Sequence, residues 1–421
     1  MSREEREVEK MDEKEKEMFE KAKEKAINEM LDKYCSRDPQ ERLAMRTFLE
    51  NFLNIIMASE RDIYLDKNHH DKANGFYSRN LVAGSWNLEL NVPRVRNGKF
   101  RPFVLPEPYK RYDESFTDLI ISLVANGYSQ AEIMNTLKSM GLPYSEKELM
   151  KIREEIKEKL DMFKSRELPK DCFALLIDGY HCEIKASSKV KKACIYVVLG
   201  IDMEGKKDLY GFYTFFGSEN RFDWLKVFND LIERGLKRVM IVVSDDLTGI
   251  GEAIKACYPL ADHQLCFVHL QRNVRKNMAK KDASEFNKKL STIKNQDSFD
   301  DALEKFEELC QKYTGKYSTF VEHLLQQKEK YLVFLKYPED VRKYIYTTNA
   351  VESFNSMIEA RRTRIGGFFQ SVEIAEINIL LSYERLKSRK WKNPIALIRA
   401  SQYEITQMFN IRYFHLQTQN S

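Results

Sequence analysis

Two short apolar segments of this chain each end near an aspartate, and this feature limits the possible folds more than any other. Phe173–Ile177 is followed by Asp178, and the segment VMIVVS is followed by Asp245. A short apolar run between polar residues is typical of a strand buried on both faces, as at the centre of a mixed or parallel sheet. We therefore expect a sheet that carries both carboxylates at strand ends, where ligand and metal sites of α/β proteins gather.

Two carboxylates brought close together repel each other strongly in a low-dielectric site, unless a cation lies between them. Oxygen ligands of this kind suit Mg²⁺ or Mn²⁺. An aspartate at a strand end also commonly caps a turn or the next helix, and either residue taken alone favours that simpler interpretation. The metal-site hypothesis therefore depends on a third ligand.

The stretch YTTNAVESFNSMIEARRTR supplies a third carboxylate, Glu352. Val351, Phe354 and Ile358 recur at helical spacing and predict a buried stripe, with Glu352 and Asn355 on the adjoining edge. Three arginines follow: Arg361, Arg362 and Arg364. A carboxylate beside arginines suggests metal-assisted phosphodiester chemistry, in which the arginines hold the phosphate backbone. The alternative is a solvent-facing glutamate in a weak surface ion pair.

The surrounding segments predict a mixed α/β core. Three strands, CFALLIDGYHCEIK, KKACIYVVLGIDMEG and DLYGFYTFFG, follow one another with Gly-containing turns and favour a meander. A helix ending at Gly235, the strand KRVMIVVSDD, the helix GIGEAIKACY and a fifth strand, DHQLCFVHL, complete the order βββαβαβ. Residues 271–345 are predicted to be helical, with a helix start at Ser298 and Asp301 and a stop at Gly315.

The first part of the chain has a different character. Residues 1–33 predict a long helix with a narrow apolar stripe from Val8 to Met30, and residues 40–58 predict a second amphipathic helix. Residues 75–110 predict short strands and a basic loop, VPRVRNGKFRP. The cationic residues of this loop are candidates for DNA binding: Arg94, Arg96, Lys99 and Arg101.

Three helices with tight turns are predicted between Asp113 and residue 165. Ser129 with Glu132, and Ser145 with Glu148, have the spacing of a capping box, and glycines mark the turns. A helix-turn-helix requires such an arrangement. The third helix carries the candidate DNA-binding residues Lys147, Lys151 and Arg153. The alternative is an ordinary helical hairpin with a solvated outer face, because glutamates are interleaved with the basic residues.

Composition narrows the class of protein. The 421 residues are enough for two or three domains, and no apolar run approaches the ~20 residues of a membrane span. The charged N-terminal segment does not predict a signal peptide. Seven cysteines without a CxxC pair favour a reduced cytosolic setting. The net charge of +5 permits nucleic-acid binding without requiring it.

The chain resembles DDE transposases of the prokaryotic Mutator-type insertion-sequence family in four stretches: IDGYHCEIK, VVSDDLTGIGEAI, HQLCFVHLQRNV and TTNAVESFNSMIEARRTRIGGF. Two upstream segments, VPRVRNGKF and GYSQAEI, are similar to the N-terminal half of the family. The resemblance covers about residues 75–390, with the motifs in the order of the family. One such motif would be weak evidence, whereas four in the right order are hard to obtain by chance.

By this resemblance, Asp178 and Glu352 take the first and third positions of the family's catalytic acidic triad. Asp245, rather than its neighbour Asp246, takes the second, because the family has a glycine four residues later, here Gly249. The chain departs from the family at three positions, where an arginine, a basic residue and a proline are usual: Tyr346, Glu359 and Phe369.

The stretch HQLCFVHLQRNV supplies further candidates. Cys266 and His269 match the family's Cys-x-x-His signature and are expected to support the active site, as is Asn355. Arg272 is expected to bind DNA. His263, Cys266 and His269 could suggest zinc, but a structural zinc site needs four ligands, and the sequence contains no second Cys/His cluster.

The resemblance implies a ribonuclease H-like core of the α/β (α+β) class, interrupted by an all-helical insertion. It predicts five regions: a helical region 1–74, a DNA-binding region 75–165, the first part of the core 166–270, the insertion 271–345 and the second part of the core 346–421. The implied partners are double-stranded DNA, as terminal inverted repeats and target, and a second copy of the chain. The Val8–Met30 stripe is a candidate dimer seam.

The implied reaction uses two Mg²⁺ or Mn²⁺ ions to cut a strand at the element's end, after which the freed 3′-hydroxyl attacks another phosphodiester without a covalent enzyme intermediate. Two alternatives remain open. The first is a ribonuclease H-like nuclease or resolvase that cuts without joining, and the second is a domesticated DNA-binding protein without catalysis.

Overall fold

The structure, a computed structural model, describes residues 24, 28, 45–83, 85–97, 100–106, 114–140, 142, 146–217 and 220–417. It divides into two compact units, Met1–Ile156 and Lys157–Ser421. Residues 24 and 28 are helical, but the rest of the predicted N-terminal helix, including the Val8–Met30 stripe, lies outside the described residues. Lys99, Gly141 and Ser145 also lie outside them.

In the first unit, a helix covers a two-stranded antiparallel hairpin. The helix is α1 (Met45–Lys67), and the strands are β1 (Ala73–Ala83) and β2 (Trp86–Val95). Met57 of α1 and Leu90 of β2 are fully buried in the core between them. The predicted end of this helix at residue 58 is wrong, because no glycine or proline interrupts residues 59–67.

The predicted basic loop after residue 91 is partly a strand. The pairing with β1 continues through Pro93, opposite Phe76, to Val95, opposite Ala73, with a register shift between the two pairs. Val92, Pro93 and Val95 are buried, whereas Arg94 is exposed. Arg96 follows the strand and is exposed, as is Arg101.

Three helices follow the hairpin: α2 (Glu114–Ala125), α3 (Gln130–Ser139) and α4 (Glu146–Ser165). The capping box of α3 is confirmed, since Glu132 N–H donates to Ser129 Oγ and the Glu132 carboxylate accepts from Ser129 N–H. Gly127 has a φ of +80° in the turn before α3. The three predicted helices are therefore present.

The second unit contains a five-stranded mixed sheet, which confirms the predicted α/β (α+β) class. Its strands are β3 (Asp171–Ala186), β4 (Lys189–Asp202), β5 (Lys207–Phe216), β6 (Arg238–Ser244) and β7 (Asp262–Leu265). The order is β5-β4-β3-β6-β7. Strands β3, β4 and β5 form the predicted antiparallel meander. Strand β6 pairs parallel to β3, and β7 pairs parallel to β6.

Helices cover the sheet. The first two are α5 (Arg221–Glu233) and α6 (Ile250–Cys257). Trp224 of α5 and Ile254 of α6 pack in one core with Leu175 and Ile177 of β3 and Val242 of β6. The Trp224 indole stacks on Tyr196 with ring centroids 3.8 Å apart. The apolar runs of β3 (residues 172–177) and β6 (residues 239–243) are buried, and β3 is the middle strand of the sheet with β6 next to it. Both predicted buried strands are therefore confirmed.

The rest of the unit is helical: α7 (Phe267–Asn277), α8 (Lys280–Ile293), α9 (Phe299–Gln311), α10 (Thr314–Gln326), α11 (Lys328–Leu332), a 3₁₀ turn (Val333–Lys336), α12 (Glu339–Ile345), α13 (Asn349–Arg364), α14 (Val372–Arg389), α15 (Ala396–Ala400) and α16 (Gln402–Gln417). Among the described residues, no helix is long and apolar enough to cross a membrane.

Two predicted boundaries in this helical part are wrong. The fifth strand ends at Leu265, because Cys266 already begins a helix: its carbonyl accepts the Leu270 N–H. Gly315 does not end a helix, because it is the second residue of α10. Backbone N–H groups in the first turn of a helix have no partner within it. The predicted start at Ser298 is confirmed, since its side chain accepts the Asp301 N–H.

Gly249 is needed for the loop that leads from β6 to α6. Its φ is +79°, and a Cβ atom there would lie 2.7 Å from the backbone N and Cα of Arg221. A side chain would therefore strain the backbone and push the loop away from the start of α5.

We expect Gly249→Ala to lower the free energy of unfolding by about 1–3 kcal/mol, because alanine disfavours this φ and has no room. Urea-induced unfolding measures the change. Gly315→Ala is the matched control, since nothing lies within 4 Å of a Cβ placed there, and should leave stability unchanged or slightly raised. Equal stability of the two variants would contradict this explanation of Gly249.

Candidate active site

The parallel pairing of β3 and β6 brings two aspartates together. Ile177 lies opposite Ser244 in the register, so Asp178 and Asp245 are the next residues along adjacent strands. Both aspartates are half-buried. Burial and the charge of Asp245 raise the pKa of Asp178 to about 6. This strand pair thus concentrates negative charge at one position of the sheet.

Helix α13 adds the third carboxylate and an amide. Its apolar stripe is confirmed, with Val351, Phe354 and Ile358 fully buried. Asn355 Nδ2 donates to Asp178 Oδ2 at 2.7 Å. The Asn355 Oδ1 atom is also buried and has no hydrogen-bond partner among the described residues. No described residue therefore uses the lone pairs of this amide oxygen.

Helix α7 connects the carboxylates through two cations. His269 Nδ1 contacts Asp245 Oδ1, and its Nε2 lies 3.2 Å from Glu352 Oε1. The two terminal nitrogens of Arg272 lie 2.5 Å from Glu352 Oε1 and 3.3 Å from Oε2. Asp245 and Glu352 therefore lie within reach of one imidazole, although they are far apart in the sequence.

The electrostatics of His269 follow from these contacts. Burial lowers its pKa, but hydrogen bonds to Asp245 and Cys266 outweigh burial and raise the pKa to about 10. These contacts favour the protonated form of His269. With Arg272 it places two positive charges against the carboxylates of Asp178, Asp245 and Glu352.

Cys266 lies beneath this cluster. Its buried thiol contacts Thr347 Oγ1 at 3.8 Å and accepts from Thr348 Oγ1 at 3.4 Å. Burial raises the pKa of the thiol, but hydrogen bonds from His269 and Thr348 outweigh burial and bring it below its ordinary value. The Cys266 thiol thus lies within hydrogen-bonding reach of His269, and its role in supporting the active site stays a prediction.

The Asp245, Cys266 and His269 side chains each place one ligand atom within 4.8 Å of the others. Among the described residues this group offers three ligands, one fewer than a structural zinc site needs. His263 is not part of it: its Nε2 lies 2.9 Å from Ser244 Oγ, and burial lowers its pKa to about 3. The three residues weighed for zinc in the sequence do not converge.

Asp246 has a different partner. Its Oδ2 lies 2.7 Å from Nε2 of His323 in α10. Of the two consecutive aspartates, Asp245 is therefore the one that contacts His269 and so approaches Glu352.

The arginines that follow Glu352 have different environments. Arg362 donates two hydrogen bonds to Glu359, at 2.9 and 2.7 Å, and a third to the Gly367 carbonyl. Arg364 is exposed. Burial and the charges of Arg385 and Arg364 lower the pKa of Arg361. Arg361 and Arg364 thus lie near a third arginine, whereas Arg362 already has an acidic partner.

Sequence reasoning missed the contact that places α13 on β3. Tyr180 Oη donates to Glu359 Oε2 at 2.5 Å, and Glu359 in turn binds Arg362. Tyr180 is two residues after Asp178 and so lies on the same face of the strand, which is the one signal that could have indicated this contact. Next to it, Phe369 N–H donates to the Glu183 carbonyl at 2.9 Å, a bond that a proline could not make.

The other candidate DNA-binding residues belong to the earlier elements. Arg94, Arg96, Lys147 and Lys151 are exposed, and Arg153 is half-buried. Arg101 is exposed and donates to the Pro106 carbonyl. The exposed cations are accessible to a ligand, and their assignment to DNA stays a prediction.

Comparison with known proteins gives one consistent result. A family described as "Transposase, Mutator family" matches residues 7–392. The transposase for insertion sequence element IS905 of Lactococcus lactis subsp. lactis is 29% identical over 80% of this chain and 88% of that protein. The transposase for insertion sequence element ISRM3 of Rhizobium meliloti is 28% identical over 92% of this chain and 99% of that protein.

We expect the Glu359 contacts to make stability depend on pH. The Arg362 hydrogen bonds, and secondarily that of Tyr180, hold the pKa of Glu359 at about 2. A lowered folded-state pKa contributes stability above the ordinary value of about 4.5, and this contribution disappears as the pH falls toward 2. Solvent reduces the effect, because the side chain is 43% exposed.

Urea-induced unfolding between pH 6 and about 3 measures this contribution. Glu359→Gln should be less stable than wild type at pH 6 and should approach wild type at low pH. Glu384→Gln, which removes an exposed glutamate of α14, is the control and should track wild type throughout. A pH-independent loss in Glu359→Gln would show that the carboxylate charge is not the cause.

Proposed function

We propose, from the premise that this chain belongs to the Mutator family of transposases, that it cuts DNA at the ends of a mobile element and joins the freed 3′-hydroxyl to target DNA. One observation carries the proposal: the β3–β6 register places Asp178 beside Asp245, and His269 connects Asp245 to Glu352. These are the three acidic residues of the proposed DDE triad.

The residues fit a divalent metal ion. Asp178 has a raised pKa because it is buried near Asp245, and a cation between the two would relieve that repulsion. The orphaned Asn355 Oδ1 adds another hard oxygen beside Asp178. An oxygen-only donor set of this kind favours Mg²⁺ or Mn²⁺ over zinc. Asp178, Asp245 and Glu352 would hold the metal, with two ions expected from the family mechanism.

When bound, the metal supplies activation of the attacking oxygen and stabilisation of the leaving oxygen. The protein's own residues do the rest. Asp178 and Asp245 are held by a rigid sheet, and Asn355 orients the Asp178 carboxylate. His269 orients Asp245 and Glu352 from one ring. Arg272 is exposed, so it can exchange the Glu352 carboxylate for a phosphate oxygen of the DNA.

The wider architecture supports the same proposal. The order β5-β4-β3-β6-β7 is compatible with a ribonuclease H-like core, and the helices α8–α12 would be its insertion. Helices α2–α4 and the hairpin β1–β2 would bind the terminal inverted repeats, chiefly through Lys147, Lys151, Arg94 and Arg96. Synapsis of two DNA ends requires at least two protomers, so a homodimer is part of the proposal.

We expect Asp178→Ala, Asp245→Ala and Glu352→Ala each to reduce strand cleavage and strand transfer to background, because each removes a metal ligand. Binding of the element's ends should remain, since it would depend on earlier elements. Cleavage and joining of a labelled terminal-repeat duplex measure the first effect, and gel mobility measures the second. Full activity in Glu352→Ala would refute the triad.

Asp246→Ala is the matched control for Asp245→Ala. It removes a neighbouring carboxylate that binds His323 instead of His269, so it should keep substantial activity. Complete inactivity of Asp246→Ala would mean that the second metal ligand is Asp246. The same assay separates the alternative of a nuclease without joining, which would cut but give no joined product.

We expect Mg²⁺ or Mn²⁺ to raise the melting temperature of the wild-type protein, because a ligand that binds only the folded state stabilises it. In Asp178→Asn this rise should be absent, while the metal-free melting temperature should be at least that of wild type, since a buried repelling charge is gone. Differential scanning calorimetry measures both. Stoichiometric zinc in the purified protein that is lost in Cys266→Ser would contradict the assignment.

A further inference from the structure

A row of exposed lysines begins near the end of α7. Lys276 of α7 and Lys280, Lys281 and Lys288 of α8 are exposed, and none has an ion-pair partner within the described part of the chain. The three lysines of α8 line one shallow groove on its outer side. These four lysines are called the basic ridge below.

The ridge continues the face of α7 that contacts the carboxylates. His269, Arg272 and Lys276 are separated by three and four residues, so they share one side of the helix. At 1.5 Å per residue, Lys276 lies about 6 Å along the helix axis from Arg272. A polymer bound at Arg272 and running along this side of α7 would therefore meet the ridge.

The acidic residues of α8 do not neutralise the ridge, because they have other partners. Asp282 accepts from Lys316 of α10 and from Tyr317. Glu285 accepts from Lys312, at the end of α9. None of the four lysines therefore forms an ion pair with a described residue, although Lys281 is near enough to Asp282 to add to the lowering of its pKa by Lys316 and Tyr317. Their positive charge favours a polyanion.

The side of α8 opposite the ridge is buried and packs against the rest of the helical part. Phe286 and Leu290 are fully buried, and Asn287 Nδ2 donates to the Gln271 carbonyl of α7 at 3.2 Å. This hydrogen bond holds the backbone of α8, which carries three of the lysines, next to α7, which carries His269 and Arg272.

We propose that the basic ridge binds the phosphate backbone of duplex DNA that adjoins the phosphodiester held at Asp178, Asp245 and Glu352. The identity of the polyanion as DNA rests on the proposed function. Lysine is a flexible point charge that matches phosphate without reading base edges, so this contact is independent of sequence. It differs from the sequence-specific binding assigned to the earlier elements.

The test is the salt dependence of DNA binding by the full-length protein. Lys281→Gln and Lys288→Gln are introduced together into an Asp178→Ala background, which prevents cutting. The dissociation constant for a random-sequence duplex is measured by fluorescence anisotropy at several salt concentrations in the presence of EDTA. The slope of log affinity against log salt should fall by about 2 in magnitude, because each phosphate contact contributes about 0.9.

The matched control is Lys170→Gln with Lys237→Gln, which removes the same charge from two exposed lysines. They precede β3 and β6, and Lys237 lies roughly 25 Å from Asp245 at the other end of β6. The control slope should equal that of the parent. Equal slopes for the ridge variant and the parent, or an equal fall in the control, would overturn the proposal.

The binding assay does not depend on catalysis, so the two proposals fail separately. An unchanged slope in the ridge variant, with a wild-type protein that cuts and joins DNA, refutes the ridge alone. A reduced slope with a wild-type protein that never cuts refutes the proposed reaction and keeps the ridge as a DNA-binding surface. Matching circular dichroism spectra and melting temperatures ensure that the variants are compared in the folded state.

Discussion

The parallel pairing of β3 with β6 is the constraint on which the candidate site depends. Ile177 opposite Ser244 places Asp178 and Asp245 on adjacent strands at successive positions, where they repel each other. Such a pair persists only because the strands are buried in a stiff core, in which Trp224 packs against the sheet. The apolar core thus keeps two repelling carboxylates close together, and positive groups on the surrounding helices offset their charge.

Side chains of two helices offset the charge of these carboxylates. From α7, His269 and Arg272 offer positive charge to Asp245 and Glu352, and from α13, Asn355 donates to Asp178. In the proposed function, a divalent cation would replace the compensating cations at the carboxylates. Arg272, released from Glu352, would then lie beside the site as a ligand for phosphate.

The position of Glu352 depends on how α13 is fastened to the sheet. Tyr180 binds Glu359, Glu359 binds Arg362, and Phe369 pairs with the backbone of β3 after the helix ends. At two of the positions where the chain departs from its family, Glu359 and Phe369, the residue therefore makes a structural contact. Arg362 belongs to these contacts, whereas Arg361, Arg364 and the four lysines of the basic ridge form no ion pair with a described residue.

The strands and most helices could be predicted from the sequence, because apolar periodicity and capping residues act over a few neighbours. The residues of the candidate site were predicted from motifs, and their roles stay predictions. Sequence reasoning mistook Gly315 for a helix stop and extended the last strand past Leu265, since a glycine or an apolar run has more than one local meaning. The contact of Arg272 with Glu352 and that of Asp246 with His323 could not be predicted from the sequence. Those partners are about 80 residues apart, so their contact depends on how whole helices pack, which no local pattern encodes.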